Sequence, residues 1–108
     1  MADDRLLGGI EFGGTKTVFA IGTPDGRIMA QHSVPTRAPE AVLADAAAFF
    51  ADQDQAIAAL GVGAFGPIVI DPSAADYGLL CETNKPGWSG FDLIGGLAAA
   101  VPVPPRLA

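Results

Sequence analysis

The chain has 108 residues, about one domain's worth, and 12 acidic against six basic side chains give a net charge of −6. That balance argues against a polyanion-binding surface, because nucleic-acid affinity is built mainly on Lys and Arg. The single Cys81 and single His32 exclude a disulfide framework and a Cys/His zinc site, and no apolar run approaches the roughly 18 residues that a membrane span needs.

Residues 6–12 (Leu-Leu-Gly-Gly-Ile-Glu-Phe) read as a buried strand ending in a tight turn at Gly13-Gly14, and 17–21 as a second strand rich in β-branched and aromatic residues. Thr23-Pro24-Asp25-Gly26 is a strong turn signal, and 27–34 then form a third strand. Two short connections in succession predict an antiparallel meander. A helix over 39–52 follows, with Pro39 in its first turn, Glu40 at the positive end of its dipole and one apolar stripe of Val42, Ala46, Phe49 and Phe50. Ala38 stands at its N-cap, where Ser, Thr or Asp would stabilise more. Asp52 and Asp54 flank Gln53 in a solvated helix exit. A Gly-rich fourth strand near 58–65 is expected to join the sheet in parallel by a right-handed crossover. Residues 68–70 form a short extended piece, 79–83 a short strand, and 91–100 a second helix with Phe91, Ile94 and Leu97 on one side. The order βββαβ…α is an α/β layer architecture without internal repeat or domain boundary. The stretch Val101-Pro102-Val103-Pro104-Pro105 cannot be a central strand, since three of its five residues lack an amide proton, and 101–108 is expected to be an irregular tail.

Two glycine motifs compete for attention. Gly61-Val-Gly63-Ala-Phe-Gly66 matches GxGxxG, but that fingerprint must open a helix, and Pro67-Ile68-Val69-Ile70 is poor helix sequence. Glycines for close strand packing are the better reading. In Glu11-Phe12-Gly13-Gly14-Thr15-Lys16, an acid at a strand end precedes two glycines, a hydroxyl and an ammonium. The glycines let backbone N–H groups point into the turn while Thr and Lys add donors, a design for approaching an anion. It is not a P-loop, because the GxxxxGK[ST] spacing is missing, and an ordinary hairpin turn is the alternative.

Gly9-Ile10-Glu11-Phe12-Gly13-Gly14-Thr15-Lys16 followed by Val18-Phe19-Ala20-Ile21-Gly22 resembles the N-terminal phosphate loop of the ROK (repressor, open reading frame, kinase) sugar kinases, members of the actin-like, ribonuclease-H-like ATPases. Pro35-Thr36-Arg37-Ala38-Pro39-Glu40 resembles the family's strand-to-helix link, residues 61–67 its Gly-rich strand entering the sugar cleft, and Thr83-Asn84-Lys85-Pro86-Gly87-Trp88 the cleft loop of its fructokinase branch. Glu11, where most of the family has Asp, and the Lys-Pro-Gly-Trp loop favour fructokinase over glucokinase. The resemblance covers about residues 7–103.

It implies the N-terminal lobe of a ribonuclease H-like fold: a mixed sheet with a three-strand antiparallel meander, one parallel strand and packing helices. It further implies an ATP- and Mg²⁺-dependent hexose kinase, most closely a fructokinase, with room for a homodimer in the full-length form; the acidic balance, the acidic start and the lack of a long apolar run predict a cytoplasmic chain with no nucleic-acid or membrane partner. Gly13, Gly14, Thr15 and Lys16 would contact the ATP phosphates, and Glu11 would help hold Mg²⁺ through water. Gly66, Pro67, Lys85, Pro86, Gly87 and Trp88 would shape the sugar side of the cleft. Catalysis there is positioning plus charge neutralisation around the transferred phosphoryl group.

In the family, the segment after the equivalent of 101–103 carries Asp-x-Asn, whose Asp is the general base. Here 104–108 read Pro-Pro-Arg-Leu-Ala, so no catalytic residue is assigned within 1–108. The expectation is a first lobe cut or frameshifted before its base, its zinc-binding cluster and its nucleotide-binding second lobe. A non-catalytic remnant, or a sugar- or nucleotide-binding module, is the alternative. The repressor branch carries a helix-turn-helix before the phosphate loop, and nine residues before Ile10 leave no room for one. Neither Gly13 nor Gly14 is expected to be an ordinary strand residue: one of them should adopt positive φ. Residues 84–88 should approach Gly66-Pro67 in space. His32 and Cys81 read as structural or surface residues, and Asp92 as a helix cap rather than a base.

Overall fold

The computed structural model describes residues 5–53 and 56–107. Asp54 of the helix exit, the acidic start at 1–4 and Ala108 lie outside the described residues. Alternation of side chains sets the two faces of the sheet. In β1 (Leu6–Phe12), Ile10 and Phe12 are buried and Glu11 is exposed; in β2 (Lys16–Gly22), Thr17, Phe19 and Ile21 are buried. The antiparallel register brings Ile10 opposite Phe19 and Phe12 opposite Thr17. β3 (Ile28–Pro35) runs antiparallel to β2 and completes the meander. The turn between β2 and β3 places Gly26 at φ 93°, a left-handed conformation that glycine adopts without strain.

α1 (Pro39–Ala51) carries Pro39, Val42, Leu43, Ala46 and Phe50 to the core, and its N-cap Ala38 makes no side-chain cap bond. The chain then returns as β4 (Ile57–Ala64), parallel to β1 with Ile10 opposite Val62 and Phe12 opposite Ala64. Ile10, Phe12, Phe19, Ile21, Leu60 and Val62 from the sheet, Val42 and Phe50 from α1, and Leu93 and Leu97 from α2 (Leu93–Ala100) form one core. Each such side chain contributes about 1.5–3 kcal/mol on burial.

Three stretches differ from expectation. Residues 79–83 are not a strand: Leu79 and Leu80 make only isolated bridges to Asp92 and Ile68. α2 starts at Leu93, because Asp92 Oδ1 accepts the Gly95 N–H at 2.9 Å and so acts as the N-cap. The tail is irregular only to residue 104. β5 (Pro105–Leu107) pairs in parallel with β4, giving the order β3-β2-β1-β4-β5. A proline is tolerated there because β5 lies at the sheet edge. Among the described residues no helix is long and apolar enough to cross a membrane.

Candidate functional site

The helices cover one face of the sheet; the other carries small side chains. Glu11 lies opposite Val18 on one side and Gly63 on the other, and Gly9 lies between Ala20 and Gly61. A Cβ added at Gly9, Gly61 or Gly63 would meet nothing within 4 Å. The result is an open trough of about 830 Å³, floored by these glycines and bordered by Glu11, Val18 and Phe65. It extends to Gly13 at the carboxyl end of β1, where ligands of open α/β sheets bind.

Residues 13–16 turn the chain from β1 into β2. Gly13 N–H donates to Lys16 O at 3.0 Å, and a Cβ at Gly13 would lie 2.7 Å from that same oxygen. Gly13 is thus required by close approach. Neither Gly13 nor Gly14 has positive φ, contrary to expectation: the residues that do are Gly26, Gly78, Gly87 and Gly90. The turn closes without left-handed backbone because it is held from behind. Thr36 N–H donates to Thr15 O at 2.9 Å, and the Thr36 hydroxyl donates to Gly13 O at 2.7 Å. Gly14, Thr15 and Lys16 are exposed.

The proposed sugar side is built around Trp88. Its ring is fully buried and meets Phe12, Phe65 and Phe91 edge-to-face at centroid distances of 5.8, 5.3 and 5.8 Å. Its Nε1–H donates to Arg37 O at 2.8 Å. Trp88 therefore does not line a cleft, as the sequence suggested; it is a core pillar joining the end of β1, the end of β4 and the entry to α1. The reason is geometric: Gly87, at φ 84° and packed against Pro39, turns the chain so that the indole points inward. Around it the loop is cross-tied, with Ser89 Oγ bonded to both the N–H and the carbonyl of Thr83 at 2.9 Å. Pro86 and Gly87 are exposed and Lys85 is half-buried. Gly66 and Pro67 are exposed beside Phe65, and Pro67 O accepts the Cys81 N–H at 2.8 Å. Segments 66–67 and 84–88 are thereby brought to one side of the molecule through the Phe65–Trp88 contact.

Other candidates take no part. Cys81 is an exposed free thiol, and His32 is exposed on β3, its ring stacked on Phe49 at 6.5 Å. Asp92 is occupied in capping. Among the described residues no three His, Cys, Asp or Glu side chains converge to hold a metal ion. Sequence reasoning missed the Thr36 bonds. The available signal was Thr17, a hydroxyl at an inward position of an alternating strand.

Comparison with known proteins decides the lineage: the model of the ROK family matches residues 7–108. The chain belongs to the ROK family. It is 38% identical over 99 residues to a fructokinase of Pediococcus pentosaceus, covering 92% of this chain and 34% of that protein. With a fructokinase of Streptococcus mutans it shares 35% over 100 residues, again 34% of that protein's length. The chain thus spans about a third of the curated relatives it matches. Among solved structures, a ROK family glucokinase from Streptomyces griseus in complex with glucose and AMPPNP superimposes with a TM-score of 0.76 at 22% identity, covering 94% of this chain and 32% of that one. The chain therefore shares the fold of this part of the ROK structures.

Proposed function

We propose that this chain is the phosphate-binding lobe of an ATP-dependent sugar kinase, with fructose as the hexose it serves. One observation carries the reading: the turn at 13–16 follows β1 directly, and the loop at 84–88 is anchored at the carboxyl ends of the parallel strands β1 and β4 by Trp88, which packs on Phe12 and Phe65. The fructokinase relatives, and the glucose and AMPPNP held by the glucokinase neighbour, support it.

The residues fit the phosphates of a nucleotide. Gly13 and Gly14 present no side chain, the Gly14 and Thr15 amides donate to no backbone carbonyl among the described residues, and Lys16 supplies an exposed cation. Glu11 offers one hard carboxylate on the trough beside the turn, suited to a water-mediated contact with Mg²⁺. When bound, the ion would neutralise phosphate charge. The chain's own part is positioning: backbone donors and Lys16 orient the phosphates, while Gly66, Pro67, Lys85, Pro86 and Gly87 border the sugar. Trp88 holds that border in place from inside the core.

The test is an NMR titration of the 108-residue chain with AMPPNP and, separately, with fructose, glucose and mannose. Nucleotide should shift the amides of 13–16, and fructose, more than the other sugars, those of Gly66, Asn84, Lys85 and Gly87. Shifts confined to other segments would refute the assignment.

A further inference from the structure

Thr17 is buried completely, a polar side chain among apolar neighbours. Its hydroxyl lies 2.9 Å from that of Thr36, and the Thr36 hydroxyl donates to the Gly13 carbonyl at 2.7 Å. A hydroxyl has one proton to give. Since the Thr36 proton is committed to Gly13 O, the direction of the chain is fixed: Thr17 donates to Thr36, and Thr36 donates to Gly13. Chains of this kind strengthen each member by polarisation. The Thr36 amide adds a second tie, to Thr15 O at 2.9 Å.

The consequence lies on the other side of the peptide planes. In a trans peptide the N–H of one residue points opposite to the C=O of the residue before it. The sole cis bond among the described residues is Gly66-Pro67, so the 13–14 peptide is trans. With the Gly13 carbonyl drawn toward Thr36, the Gly14 N–H is aimed away from Thr36. In an ordinary two-residue hairpin the Gly13 carbonyl would instead take the Lys16 N–H, and the turn would close on itself; here only the Gly13 N–H to Lys16 O bond is made.

We propose that Thr36, backed by Thr17, is a positioning device for the phosphate turn: it holds the Gly13 carbonyl inward so that the Gly14 amide stays presented to a phosphate chain. Neither hydroxyl touches the ligand. Their effect is on affinity, through preorganisation of donors that would otherwise have to be ordered on binding. This rests on the phosphate reading of residues 13–16.

The experiment titrates inorganic tripolyphosphate into the 108-residue chain and into Thr36→Val, Thr36→Ser and Thr17→Val, following all amides by NMR with amide exchange in the absence of ligand. Thr36→Val removes about one net hydrogen bond from the turn and should weaken binding roughly five- to tenfold. It should also speed amide exchange at 13–16, leave the rest of the spectrum in place and be rescued by Thr36→Ser. Thr17→Val keeps the shape of a buried side chain, so it tests the device should Thr36→Val not fold, with an expected loss of about two- to fivefold. Tripolyphosphate binding to Thr36→Val or Thr17→Val with wild-type affinity and an unchanged shift at Gly14 would overturn the positioning role and leave the phosphate reading intact. A folded wild-type chain whose residues 13–16 ignore tripolyphosphate would overturn both.

Discussion

The two glycines of the turn are there for different reasons, and substitution separates them. At Gly13 a Cβ would approach the Lys16 carbonyl to 2.7 Å. Gly13→Ala should therefore push the hairpin apart and lose about 1–3 kcal/mol in urea unfolding. At Gly14 the space is open and φ is not positive. Gly14→Val should fold normally, yet abolish the response of the turn to AMPPNP, because the added methyls occupy the space that a phosphate needs. Trp88 calls for a different measurement, since it is buried and hydrogen-bonded rather than exposed to ligand. Trp88→Ala should cost about 3–5 kcal/mol, the range for deleting a large core aromatic. Trp88→Phe should cost less and keep the fold, losing chiefly the bond to Arg37 O. If Trp88→Ala left stability unchanged, the pillar description would be wrong.

At the scale of elements, the two helices are capped unequally. Asp92 accepts from Gly95 N–H at the start of α2, whereas Ala38, at φ −57° and ψ 149°, offers α1 no side-chain acceptor. Asp92→Ala should lower stability by about 1 kcal/mol and Ala38→Asp raise it by a similar amount, an order readable in thermal melts. The loop before α2 carries an acid-sensitive turn. The Ser73 amide and hydroxyl donate to Asp71 Oδ1 at 3.0 and 2.8 Å, and the amide bond, foremost, holds the Asp71 carboxyl below the ordinary aspartate value. A lowered folded-state value means that the stabilisation is complete above the unfolded-state value and is lost as pH falls through the folded one. An NMR titration should show Asp71 ionising below the ordinary range, and Asp71→Asn should flatten that acid limb of local stability. The Arg37–Asp45 ion pair at the entry to α1 is partly solvated, so it adds little.

For the molecule as a whole, the question is what the polypeptide of residues 1–108 does alone. A general base must come within hydrogen-bond reach of the proton it removes. Asp92 is committed to its cap, and Glu11 faces the trough beside the turn at 13–16. This polypeptide assayed by itself should give no turnover with ATP and fructose, glucose or mannose. Absence of a base alone typically costs 10²–10⁴ in rate. Activity that persists through repurification and vanishes in Lys16→Ala would place the chemistry within these residues.

The sequence by itself determined what depends on local period and turn chemistry. Alternation in 6–12 and 17–21, the stripe on 39–52 and the turn at 23–26 specified the meander and α1, because each is settled by neighbours a few residues away, and the parallel return followed from a helix standing between two strands. The turn at 13–16 was legible for the same reason. Only the tertiary structure decided the rest. Trp88 is drawn into the core by Phe12, Phe65 and a carbonyl 51 positions distant in sequence, and no local pattern distinguishes a cleft tryptophan from a buried one. Residues 105–107 become β5 because the edge of β4 lies open beside them, although their composition argues for a coil. The turn avoids positive φ because Thr36, 23 residues beyond Gly13, ties it from behind. Hydrogen bonds between distant segments form only once packing has placed both partners, so their effect on the site is written in the fold.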